Sequence, residues 1–67
     1  MIDFKSVVYG LIRYAAVPLT FVRDQSFFAV MLEHDDGSSE RIGWITNDEL
    51  RFLHGQGLTL TLANEGL

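Results

Sequence analysis

Glu33-His34-Asp35-Asp36 is the densest run of ligand-type side chains in the sequence. A metal site here needs two or more of them to converge, with His54 or Glu40 closing the coordination sphere. Their spacing works against that. Where a strand runs into a turn, adjacent side chains point to opposite sides and do not meet on one ion. No second histidine follows at three or four residues, and the spacing of a calcium loop is absent. The run therefore reads as a solvated hairpin tip, and no metal or other cofactor is expected. A ligand- or metal-binding domain built on His34 and its neighbouring carboxylates stands as an alternative reading.

Nucleophilic catalysis has less support. With no cysteine, the nucleophile has to be Ser6, Ser26, Ser38 or Ser39, paired with His34 or His54 and oriented by a carboxylate. Ser38 and Ser39 come near His34 only across a hairpin, where nothing excludes water. There is no Gly-x-Ser-x-Gly elbow, and Gly55-Gln56-Gly57 is too short to cradle a phosphate. Paired carboxylates need a cleft, which a chain of 67 residues rarely makes. The chain is expected not to be an enzyme.

Recognition chemistry remains. Asp35, Asp36 and Glu40 gather at the hairpin tip, and Asp48 and Glu49 at a helix start, where together they could meet arginines and lysines of a partner. Trp44, the single tryptophan, is expected in the core by strand alternation; the competing reading places it at the centre of an interface. His54 falls in the last turn of a helix, where the dipole favours a cation.

The elements that position these groups follow from hydrophobic period and punctuation. Phe4, Val7, Val8, Leu11, Ile12 and Ala15 fall at helical spacing, which predicts a helix over Asp3–Ala16 with Asp3 as N-cap. Several of its residues are weak helix formers, so a long strand is the rival reading. Pro18 ends either element. Leu19–Arg23 is a strand, Asp24-Gln25-Ser26 a polar turn, and Phe27–Leu32 a strand apolar on both faces. Phe27 and Phe28 then lie on opposite faces, and one layer of helix cannot cover both. Asp36-Gly37 supplies the positive backbone angle of a tight hairpin, which returns along Glu40–Ile45. There Ile42 and Trp44 share one face, with Arg41, Gly43 and Ile45 on the other. Thr46 and Glu49 form a capping box for a helix containing Leu50 and Leu53 and stopped at Gly55. Leu58–Leu62 alternates as a half-buried antiparallel strand, and Ala63–Leu67 reads as a fraying tail.

The predicted architecture is α+β: an N-terminal helix, a three-strand antiparallel meander, a short helix and a final strand. The expected core is Phe4, Val8, Leu11, Phe28, Val30, Trp44, Leu50, Leu53, Leu58 and Leu60. If the opening segment is strand, the alternative is a small all-β barrel. The distal hairpin, Gly43-Trp44-Ile45, a helical turn and a closing strand then resemble the end of an SH3-type barrel over a third of the chain. The proline and tyrosines of SH3 peptide grooves are missing from these positions.

Composition bounds what such a domain can do. A single domain of this size buries only about 60% of the surface its unfolded chain exposes. It contains no cysteine to form a disulfide, yet it is 48% hydrophobic. Self-association, as a dimer, or cover from a partner is therefore expected. A net charge of −4, with five scattered basic residues, argues against direct nucleic-acid binding. Arg13, Pro18 and Arg23 interrupt the apolar N-terminal half before it reaches the roughly 18–20 residues of a membrane span, and signal-peptide features are poor. The chain reads as cytoplasmic. The function expected is a small acidic protein-interaction module, a regulator or inhibitor that binds and occludes a partner protein with a basic surface. Accessory proteins of phages and mobile elements, anti-CRISPR-type inhibitors among them, are of this kind. A self-associating structural module is the other reading.

Overall fold

The structure, a computed structural model, describes residues 3–64. Helix α1 spans Phe4–Arg13 and is followed by β1 (Leu19–Asp24), β2 (Phe27–Glu33) and β3 (Ser39–Thr46). Helix α2 (Asn47–Gly55) then leads to β4 (Thr61–Asn64). The strands form one sheet in the order β3-β2-β1-β4. It is not closed into a barrel, because the opening segment is helix and leaves β3 and β4 as free edges. Both helices pack on one face of the sheet. Between them and the strands lies the core of Val8, Leu19, Phe21, Phe28, Val30, Ile45, Leu50, Leu53 and Leu58.

Helix α1 is shorter than its apolar period predicts. Its C-cap is Tyr14, after which Ala16 adopts a positive φ of 52° and the Val17 N–H donates back to the Leu11 carbonyl. Asp3 holds the N-cap position without a side-chain capping bond. Its carbonyl accepts from the Ser6 and Val7 N–H groups, and its carboxylate lies 3.5 Å from Lys5 Nζ. Helix α2 carries the full capping box: Thr46 Oγ1 accepts from the Glu49 N–H, and the Thr46 N–H donates to Glu49 Oε1. Its stop lies two residues beyond the expected one. Gly55 is helical, and Gly57 takes the positive φ of 85° with its N–H on the His54 carbonyl.

Two expectations about the strands are corrected. The final strand is parallel to β1, not antiparallel, and runs Thr61–Asn64, so Ala63 and Asn64 belong to the sheet. The reason is topological. β1 and β3 point the same way, α2 supplies the return, and β4 therefore starts in their direction. The rest of the expected tail, residues 65–67, lies outside the described residues.

The second correction concerns β3. Phe28 pairs with Ile45, Ala29 with Trp44 and Val30 with Gly43, but Met31 pairs with Arg41. Ile42 is thus the extra residue of a β-bulge, and alternation breaks there. Ile45 enters the core at 1% exposure, while Trp44 turns to the other face at 42%. Gly43 permits close packing on the core side. A Cβ at this position would lie 2.5 Å from the tip of the Phe4 ring, so only glycine lets α1 settle this close to the sheet.

Candidate functional site

The face of the sheet away from the helices carries the candidate site. Strand periodicity and the observed register put Thr20 and Val22 of β1, Phe27, Ala29 and Met31 of β2, and Arg41 and Trp44 of β3 on this face. Phe27 is 49% exposed, whereas Phe28, its neighbour, is buried against the helices. That is the opposite-face arrangement expected of the pair. Ala29 is only 7% exposed although no helix covers it. Its larger neighbours close over it, and it lines a recess beside Trp44.

Trp44 and Asp24 line both of two adjoining recesses. The first, of about 380 Å³, is lined by Asp24, Gln25, Phe27 and Trp44. The second, of about 300 Å³, is lined by Val22, Asp24, Ala29, Met31, Arg41 and Trp44. The Arg41 guanidinium carbon lies 5.0 Å from the centre of the Trp44 ring, a cation–π contact that steadies the indole. The tight β1–β2 hairpin places Asp24 directly opposite Phe27. Gln25, first residue of its two-residue turn, takes a positive φ of 57°.

The acidic residues are distributed differently from the aromatic ones. Asp35, Asp36 and Glu40 lie at the hairpin end of β3, and Asp48 and Glu49 at its other end, in the first turn of α2. β3 is eight residues long, which separates its ends by roughly 24 Å at about 3.4 Å per residue. Three of the five carboxylates are occupied locally. Asp36 Oδ1 accepts from the Ser38 hydroxyl at 2.6 Å and the Ser38 N–H at 2.9 Å. These bonds, the hydroxyl's first, hold its carboxyl below the ordinary value of 3.8. Glu40 Oε1 lies 3.2 Å from His34 Nε2, and Glu49 serves the helix cap. Asp35 and Asp48 have no side-chain partner among the described residues.

No group of three or more metal-ligating side chains converges among the described residues. Ser38 Oγ is bonded to Asp36 rather than to His34. No helix among them is long and apolar enough to cross a membrane. Of the six residues that the sequence marks for partner binding, only Trp44 lies on the open face of the sheet. Asp24 and Gln25 read in the sequence as an ordinary polar turn, and nothing in their types signals that they flank two aromatic rings. Compared with protein-family models, curated proteins and solved structures, the chain matches none.

Proposed function

We propose that the chain is a non-enzymatic protein-interaction module, a regulator or inhibitor that lays the open face of its sheet on a partner protein and occludes what it covers. The observation that carries this reading is the pair Trp44 and Phe27, two large aromatic side chains left 42% and 49% exposed on a face that neither helix covers. Aromatic residues are enriched at the centres of protein interfaces, and an apolar patch rimmed by polar groups marks an interaction surface. The net charge of −4, with Asp35 and Asp48 uncommitted, favours a partner with a basic surface. Small size, acidity and absence of cysteine fit a cytoplasmic accessory protein of the kind carried by phages and mobile elements, anti-CRISPR-type inhibitors included.

The same exposed pair supports a second reading, in which a second copy covers the face. Capture from host lysate and light scattering separate the two. If Trp44→Ser recovers the same partner as the wild type, with its circular dichroism unchanged, the face has no part in binding. Dimers that dissociate in the variant favour self-association; a wild type monomeric at every concentration ends that second reading. Charge reversal of Asp35 and Asp36 tests the acidic contribution separately.

A further inference from the structure

We propose that the recess between Trp44 and Phe27 is a receptor for a guanidinium group, and that the partner engages this face by inserting an arginine side chain. The inference rests on the reading of the open face as a protein-docking surface, and specifies what fills its aromatic end. Two rings, one carboxylate and one amide line this single recess. Phe27 pairs with Thr46, so Trp44, two residues earlier on β3, is its diagonal neighbour on the same face. Diagonal positions are about 7–8 Å apart along the sheet, and the recess between these two side chains, about 380 Å³, is large enough for a planar side-chain group. Asp24, opposite Phe27, brings a carboxylate to the same end.

A guanidinium is planar, stacks on aromatic faces and offers parallel N–H donors to a carboxylate. An apolar side chain in the recess would make no use of the Asp24 carboxylate or the Gln25 amide, and an acidic one would face Asp24 and a chain of net charge −4. Trp44 already performs this chemistry within the molecule. Arg41 stacks on it from the neighbouring recess and does not line the one shared with Phe27. The indole thus meets a guanidinium on one side, and the other recess has the same aromatic wall without one.

Gln25 holds the first position of the two-residue β1–β2 turn. At a φ of 57°, glycine would sit without strain, and glutamine does not. The tight hairpin calls for that positive φ whatever the side chain, and Ala16, outside this face, adopts a similar one. A glycine in place of Gln25 would remove the amide from the wall of the recess.

The test uses the full, isotope-labelled chain and a blocked Gly-Arg-Gly peptide, with citrulline and lysine peptides of the same length as controls. The indole N–H resonance of Trp44, unique because the chain has one tryptophan, reports binding together with the Gln25 side-chain amide. The arginine peptide should shift both, saturably, with an affinity on the order of millimolar. Citrulline should leave them in place and lysine should bind more weakly. Asp24→Asn should weaken the arginine effect about tenfold, the loss of roughly one charge-assisted hydrogen bond, with the remaining spectrum showing an intact fold. Phe27→Leu, which removes one ring, should weaken it as well. No shift at tens of millimolar, an equal response to citrulline or lysine, or an undiminished response in Asp24→Asn overturns the proposal. If Trp44→Ser loses the partner while arginine produces no shift, this inference falls and the docking face stands. If arginine binds but Trp44→Ser keeps its partner, the receptor stands and the docking reading falls.

Discussion

Replacing Gly43 with alanine tests how α1 is seated on the sheet. The new Cβ would stand 2.5, 2.8 and 3.0 Å from three atoms at the tip of the Phe4 ring, against an ordinary carbon contact of about 3.5–4.0 Å. The ring must retreat by about 1 Å, and the helix turn that carries it must shift. Overpacking of this kind costs about 1–3 kcal/mol. The lower part of that range applies, because the tip of a side chain collides rather than backbone. Gly43 does not have a positive φ, so alanine also recovers about 0.4–1 kcal/mol through the unfolded chain. The net is a destabilisation of about 1 kcal/mol, a fall in Tm of about 4–8 °C for a domain of this size. In a Phe4→Leu background the colliding ring tip is gone, and the same substitution should become neutral or stabilising. Thermal and urea unfolding followed by circular dichroism read both effects. A Gly43→Ala protein as stable as the parent, or an effect that keeps its sign in the Phe4→Leu background, refutes the close approach.

Other consequences can be checked in the same way. Ile45→Ala should cost about 2–5 kcal/mol as a core truncation, and Trp44→Ser less than half as much; acrylamide should quench the indole freely, and a shielded indole would return Trp44 to the core. Gln25→Gly should raise the urea midpoint by relieving the positive φ, a gain of up to about 1 kcal/mol, while weakening the response to the arginine peptide. Because the Asp36 carboxyl is held below its ordinary value of 3.8, its contribution to stability is present above that value and fades as pH falls through the depressed folded-state value. An acid titration following the Ser38 amide shift should show this loss, and a midpoint at or above 3.8 would count against the bonds from Ser38.

What the sequence made legible was set by local signals. The capping box at Thr46 and Glu49 was readable because both partners lie within one helical turn. The apolar period of the opening segment predicted helix despite its weak helix formers, and tertiary burial of Val8 bears that out. The length of α1 was not legible, because the backbone of Ala16 reverses two residues ahead of Pro18. The direction of β4 was not legible from the Leu58–Leu62 alternation, because direction is decided by the return path through α2. The position of Trp44 required knowing that Ile42 is unpaired, and no residue type announces a bulge at an isoleucine. The candidate site inherits this split. Phe27 followed from alternation with Phe28, whereas Asp24 and Gln25 entered only once the register had placed the turn beside Trp44.

That bulge decides more than one side chain. Beyond it, towards the hairpin, Met31 pairs with Arg41 and Leu32 with Glu40. If that register ran on unbroken, Ile42 would face Val30 and Trp44 would face Phe28, both on the core side, and Ile45 would point outward. A one-residue slip exchanges every side chain between faces, and the extra residue at Ile42 performs that slip midway along β3. In the bulged register the compact Ile45 fills the space beneath the helices, Gly43 receives the Phe4 ring, and Trp44 is left outside beside Phe27. The packing of α1 and the exposure of the indole are therefore two results of one register choice. An exposed tryptophan here is not a residue the core failed to accommodate. The arrangement that closes the core is the same one that builds the aromatic wall on the open face.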